Sequence, residues 1–370
     1  MLHKVRKFHT SIMMGRMMLK VFVAMFLSAP CLAEVKWIEA RELGLEGQGW
    51  TDLKQPYDRL PAKAEGVVRA EVWALGQDSA GMLVRFTTDA TELRARWTLR
   101  KKSLALPHMP ATGVSGLDLY VFVEGKWHWL ANGRPEQFPV NEKILVTGLE
   151  AKPRDYLLYL PLYNGVQKVE IGVPESFQVS RTKVEKKKPV LFYGSSILQG
   201  GCAARPGMAY PSIIGRMLNV PTINLGFSGN GKCEPEMASL LAELDPSVFV
   251  FDSLPNLTPA EAVERVEPLL AQFRKAHPKT PIVLVENTIP HGSLVLPTRK
   301  DAAQKKNATL RQLFSKLNPD DPNLFYVDSR NLLGNDDEGT VDGVHPTDLG
   351  FVRMAEIIAP IVKQALERSN

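Results

Sequence analysis

Hydrophobic positions along the 370-residue chain change their period once. Between residues 34 and 185, short runs rich in Val, Tyr, Phe and Trp recur at 67–73, 81–86, 92–97, 117–123, 155–160 and 168–173, separated by turn residues. Alternating runs of this length, with little helical periodicity, predict strands. The region reads as an antiparallel β-sandwich, jelly-roll-like. From 186 onward the rhythm becomes strand then helix. Near-continuous apolar runs at 189–193, 221–225, 247–252, 281–286 and 323–327 alternate with amphipathic stretches at 207–218, 233–244, 259–276, 299–317 and 347–367. Strands apolar on both faces, set between such helices, predict a five-stranded parallel sheet in a three-layer α/β/α unit. Thr258 before Pro259, with Glu261 behind, is a helix-start signature. The charged stretch 181–188 reads as a solvated connection, so the expected division is 34–185 and 186–370. A chain of this length also fits two domains better than one.

Residues 1–33 stand apart. Lys4, Arg6, Lys7, Arg16 and Lys20 lead into the apolar run 21–27 and then Ser28-Ala29-Pro30-Cys31-Leu32-Ala33, the layout of a secretory signal peptide whose apolar run is too short to span a bilayer. These cations account for the whole formal charge of +5. Residues 34–370 are therefore charge-balanced, which gives no support to binding nucleic acid or an anionic membrane and suits a neutral, carbohydrate-like substrate. Export bears on the cysteines too. Cys202 and Cys233 remain after cleavage, where a disulfide between them is permitted and two separately buried thiols are the alternative. No C-x-x-C pair or histidine-rich cluster points to a metal, and no cofactor is expected.

Candidate chemistry gathers at the ends of the predicted parallel strands. Gly194-Ser195-Ser196-Ile197-Leu198-Gln199-Gly200 follows the first of them and can present a hydroxyl at the carboxyl edge of a sheet. Leu198 stands where the Gly-x-Ser-x-Gly elbow needs its second glycine, which disfavours an ordinary α/β-hydrolase. Ser196 is the candidate nucleophile and Ser195 its rival, and the residues alone hardly separate them. A serine nucleophile needs a base. In Asp342-Gly343-Val344-His345 the three-residue spacing can bring Asp342 against one ring nitrogen of His345 and leave the other to face the serine. The other histidines past the leader, His108, His128, His277 and His291, lack such a neighbour and read as surface or loop residues. Gly226-Phe227-Ser228-Gly229-Asn230-Gly231 follows the second strand, and its Gly229 amide can face a developing oxyanion; the plain reading is a glycine-rich turn. Asn256, after the third strand, offers a side-chain amide as a further donor or simply forms a turn.

Together these blocks resemble the SGNH, or GDSL-type, hydrolases. The family's first block, Gly-Asp-Ser-x-x-x-Gly, matches Gly194, Ser196 and Gly200 and selects Ser196. Its glycine and asparagine match Gly229 and Asn256, and its Asp-x-x-His matches Asp342 and His345. Ser195 replaces the usual aspartate, and Leu254-Pro255-Asn256-Leu257 replaces Gly-x-Asn-Asp, which marks a divergent branch. Gly116-Leu117-Asp118-Leu119-Tyr120 resembles the Gly-x-Asp-Leu-Tyr signature of the β-domain that precedes this branch, and 57–61 and 160–164 extend the likeness. The resemblance implies catalysis by Ser196, His345 and Asp342, with the Ser196 and Gly229 amides and the Asn256 side chain holding the oxyanion. With export and balanced charge, it implies a secreted or periplasmic esterase that removes acetyl or other short acyl groups from a carbohydrate. Such an enzyme needs no cofactor, nucleic-acid partner or membrane span. An acylated lipid or aryl ester as substrate, and a non-catalytic carbohydrate-binding protein, are the alternatives. No broad apolar lid is visible in the sequence, which counts against a true lipase.

Overall fold

The structure is a computed structural model that describes residues 34–369; the expected signal peptide lies outside them. Among the described residues the strands form three sheets. Strands Val35–Glu39, Val166–Pro174, Glu92–Leu99 and Val140–Thr147 make one antiparallel sheet, in that order. The second runs Val179–Arg181, Leu83–Thr88, Arg154–Tyr159, Leu117–Val123 and Lys126–Gly133, with Leu45–Glu46 beside Leu83–Thr88. Their inner faces share one core. Along Glu92–Leu99 every second residue, Leu93, Ala95, Trp97 and Leu99, points into it, and the Phe86 and Tyr156 rings stack there at 5.2 Å. This is the β-sandwich that the alternation predicts.

The third sheet is parallel, ordered Thr222–Gly226, Val190–Gly194, Val248–Asp252, Ile282–Val285 and Leu324–Val327. Its side chains split by parity. Leu191, Tyr193, Phe249, Phe251 and Leu284 pack on one face with Leu241, Leu269 and Leu310 of the helices Pro235–Leu241, Pro259–Ala276 and Pro297–Leu317. Val190, Phe192, Val248, Val250 and Val283 pack on the other against Ile214, Phe351 and Ile358 of Tyr210–Leu218 and Asp348–Ser369. All five strands stand where the apolar runs place them. Thr258 and Glu261 exchange hydrogen bonds in a capping box, so Pro259–Ala276 has the expected bounds. Because Val190–Gly194 lies between Thr222–Gly226 and Val248–Asp252, the strand order reverses at its carboxyl end. A crevice opens there in folds of this kind.

One predicted strand is a helix. Residues 67–73 read as alternating, yet Ala70–Gly76 is helical. Within it Val72 and Gly76, four apart, are buried and Val72 enters the parallel sheet's core, so the buried period is helical rather than two. The edge strands carry a weaker signal. In Val140–Thr147 a single residue, Asn141, is buried, and this leaves almost no apolar alternation to read.

From Glu34 on, the sandwich and the α/β half pack as one compact unit. Two buried polar residues of the sandwich half join them. Arg59 donates through Nη1 to the carbonyls of Asn224 (3.0 Å) and Gly226 (2.8 Å), and through Nε and Nη2 to those of Asp78 and Leu75. Asp118 of the Gly-x-Asp-Leu-Tyr stretch accepts from Arg205 Nη1 (2.8 Å), the Gly207 amide (2.9 Å) and Trp129 Nε1 (2.8 Å). That signature is a clasp between the halves.

Candidate active site

At the carboxyl end of Val190–Gly194 the chain has no room for a side chain. A Cβ on Gly194 would sit 2.1 Å from the Asp252 carbonyl oxygen. The next residue, Ser195, is buried and caps the short helix Ser196–Gln199, its hydroxyl accepting from the Ile197 amide at 3.3 Å. Ser196 opens that helix, and Gly200 closes it in the left-handed conformation at φ +105°. This explains the glycine at each end of the block. It also explains why serine serves where an aspartate is usual, since both side chains cap a helix through an oxygen acceptor.

The two candidate serines are thereby separated. Ser196 Oγ lies 2.9 Å from His345 Nε2. On the other side of the ring, Nδ1 is 2.7 Å from Asp342 Oδ2. Asp342 Oδ1 accepts the amides of His345 (2.8 Å) and Val344 (3.0 Å), so the turn that carries the histidine also fixes its carboxylate. Burial works to raise the Asp342 pKa, but the His345 and Val344 amides and the imidazole together hold it at about 2. An ionised Asp342 places the ring proton on Nδ1 and leaves Nε2 free to accept from the serine hydroxyl.

The proposed donors sit on the neighbouring strand ends. The Phe227 amide donates to the Gly194 carbonyl at 2.9 Å, and a Cβ on Gly231 would meet that same oxygen at 2.0 Å. The glycine loop is thus pressed onto the end of Val190–Gly194. Gly229 has φ +67° with open space around its Cβ position, and its amide has no acceptor among the described residues. One N–H of the Asn256 side chain bonds the Phe227 carbonyl at 3.0 Å. Among the described residues that is the one acceptor its side-chain amide meets.

Several residues at the site were not legible in the sequence. Gln199 is fully buried; its Oε1 accepts the Ser228 amide (2.9 Å) and its Nε2 donates to the Leu162 carbonyl (3.1 Å), tying the helix Ser196–Gln199, the glycine loop and the sandwich half together. Tyr163 of the sandwich half donates its hydroxyl to the Ser196 carbonyl at 3.2 Å. His108 stands with its ring centroid 5.9 Å from that of His345. His291, read as a surface or loop residue, lies in a turn but is buried, and its amide donates to the Gly343 carbonyl (2.9 Å) in the turn that carries His345. Cys202 and Cys233 are both buried free thiols, which is the alternative to a disulfide. The Cys202 sulfur lies with the Asp342 and His345 ligand atoms inside a 4.8 Å cluster. Burial, reinforced by the Asp342 charge, pushes its pKa up to about 12, so the thiol stays protonated and suits a metal poorly.

Asp252, whose backbone carbonyl accepts the Ser195 amide at 3.0 Å, is itself a buried carboxyl bonded to the Tyr210 hydroxyl at 2.8 Å. Burial raises its pKa to about 7, against a smaller opposing effect of the Tyr210 bond. A raised folded-state pKa stabilises the fold fully below the unfolded value of 3.8, and that contribution is lost as pH rises through about 7. Asp252→Asn keeps the Tyr210 bond and removes the titration. Thermal unfolding should show the variant gaining on the wild type between pH 4.5 and 7.5; a difference independent of pH contradicts the assignment.

Two family descriptions match the chain in tandem. Residues 35–179 match the N-terminus of SGNH-hydrolase-type esterases, and 187–363 match the GDSL-like lipase/acylhydrolase family. No curated protein matches the chain significantly. Among solved structures, a protein of Bacteroides ovatus assigned to the GDSL-like lipases is 34% identical, with a TM-score of 0.85 over 90% of this chain and 98% of its own. A salicylyl-acyltransferase from a tetracycline biosynthetic pathway is 18% identical, with a TM-score of 0.69 over 89% and 97% of the two chains. An acetyl xylan esterase of the rumen bacterium Butyrivibrio proteoclasticus is 13% identical, with a TM-score of 0.55 over 90% and 99%. The last two share the fold alone. The first shares a third of its residues across both halves, and on that ground the chain belongs to the GDSL-like (SGNH) lipase/acylhydrolase family and is an ester hydrolase.

Proposed function

We propose that this esterase removes acetyl or other short acyl groups from a carbohydrate, and that the line Ser196–His345–Asp342 performs the chemistry. The observation that carries the mechanism is the 2.9 Å contact from Ser196 Oγ to a His345 ring whose far nitrogen is held by Asp342. Ser196 Oγ attacks the ester carbonyl as His345 Nε2 takes its proton. The oxyanion forms against the Ser196 and Gly229 amides and the remaining Asn256 N–H, donors aimed in advance at the charge that develops. The intermediate collapses as His345 returns the proton to the departing alcohol oxygen. Water, deprotonated by the same nitrogen, then attacks the acyl-serine, releases the acid and restores the hydroxyl.

The carbohydrate reading draws support from the charge balance of residues 34–370 and from the acetyl xylan esterase fold shared with Butyrivibrio proteoclasticus. Export rests on the leader alone; no helix among the described residues is long and apolar enough to cross a membrane. One observation favours an apolar ester instead. Leu294 and Val295, 89% and 79% exposed, project from a loop joined to the base-bearing turn through the His291 to Gly343 bond. An apolar tip of this kind suits a lipid or aryl alcohol. Acid release from a mono-acetylated methyl glycoside, from 4-nitrophenyl acetate and from an octanoyl glyceride decides between them. The proposal expects the acetyl glycoside to be cleaved and the acetyl esters to be preferred over the octanoyl ester; cleavage confined to the octanoyl ester overturns it.

A further inference from the structure

The connection between the sandwich strands Glu92–Leu99 and Leu117–Val123 does not stay on the sandwich. Leu106 and Met109 exchange both backbone hydrogen bonds at 3.0 Å, which leaves Pro107 and His108 as the two residues of a tight turn. Both flanks are rooted in the other half of the molecule, since Met109 and Val114 are buried in the core cluster of the α/β half and Leu106 packs against it. Close behind, Thr112 Oγ1 donates to the Ala204 carbonyl at 2.6 Å, and a Cβ on Gly113 would stand 2.1 Å from the Ala203 carbonyl oxygen. The segment touched there leads back to the site, because a Cβ on Gly201 would lie 3.1 Å from His345 Cδ2. Pro107 fixes its own φ, so little freedom is left in the turn. His108 is exposed at its tip, makes no hydrogen bond among the described residues, and faces the His345 ring at 5.9 Å between centroids.

We propose that His108 is the sandwich half's contribution to substrate recognition, binding a hydroxyl of the alcohol part of the ester. The inference rests on the assignment of Ser196 and His345 above. His345 Nε2 must hand its proton to the leaving oxygen, so the alcohol is bound beside that ring. A second imidazole next to it meets the alcohol rather than the acyl group. An imidazole offers one donor and one acceptor, the pair that a hydroxyl one carbon away from the ester oxygen can use. A simple aryl ester has no such hydroxyl. His108 therefore selects polyol esters and makes no demand on the acyl chain.

The test compares kcat/KM for a mono-acetylated methyl glycoside and for 4-nitrophenyl acetate in the full chain, in His108→Ala and in His108→Gln. The ratio of glycoside to aryl acetate should fall about tenfold in His108→Ala, carried by KM, as loss of one hydrogen bond to substrate implies. His108→Gln, which keeps a donor and an acceptor, should recover part of it. A ratio within twofold of the wild type, or equal losses on both esters, overturns the proposal; equal losses would mark an effect on His345 itself. Wild-type protein that cleaves the aryl ester and no glycoside overturns both this inference and the carbohydrate reading. Ser196→Ala, run alongside, isolates the mechanism: if it is inert while His108→Ala fails to discriminate, only the role of His108 falls.

Discussion

Ser196→Ala is expected to lower kcat by about 10⁴-fold or more on every ester the protein cleaves, with the fold and its melting temperature kept. Without Oγ, His345 has no hydroxyl to activate, and what remains is the acceleration that oriented water and the oxyanion donors supply. Ser195→Ala is the matched control. Its hydroxyl is buried and turned to the Ile197 amide, so the variant loses a helix cap worth about 1 kcal/mol and should keep most of its turnover. Steady-state assays on 4-nitrophenyl acetate read both. Comparable losses in the two variants would show that the cap, and not the nucleophile, is what Ser196→Ala disturbs.

The largest effect on stability is expected at a residue remote from the reacting atoms. Asp118 is fully buried and satisfies Arg205, the Gly207 amide and Trp129 at once. Asp118→Ala leaves a guanidinium and two N–H groups without their acceptor at the junction of the halves. Breaking a buried ion pair from one side costs about 3–5 kcal/mol, more than the solvation that a partly exposed Arg205 can regain. Urea unfolding should show a loss of that size in one cooperative step, because the halves form one unit. A change below about 1 kcal/mol would mean that the signature residue is not the clasp described here.

The physics that made parts of this molecule legible also hid the others. Val190–Gly194 and its neighbours are buried on both faces, so their apolar runs are unbroken and announce a parallel sheet. The Gly194–Gly200 block is legible because a strand end pressed on Asp252 and a left-handed helix end both demand glycine. Asp342 and His345 sit in one turn, and local spacing suffices to pair them. Arg59, Gln199 and His108 gave no such signal. The first two are polar residues whose partners are backbone carbonyls and amides of distant segments, and a sequence does not show which carbonyls lack a donor. His108 reaches the site only because Met109 is buried in the core of the other half and Leu106 packs against it. The same cross-half packing sets the helix Ala70–Gly76 across most of a stretch whose sequence reads as a strand, since Val68 and Val72 answer to the parallel sheet rather than to the sandwich.

The assignment of Ser196 as the nucleophile can be read chemically. Incubation with a fluorophosphonate ester, followed by peptide mass spectrometry, tests it without reference to any natural substrate. One phosphonyl adduct is expected, on Ser196, formed in step with the loss of esterase activity and absent from Ser196→Ala. An adduct on Ser195, or activity that survives with Ser196 fully modified, would contradict it.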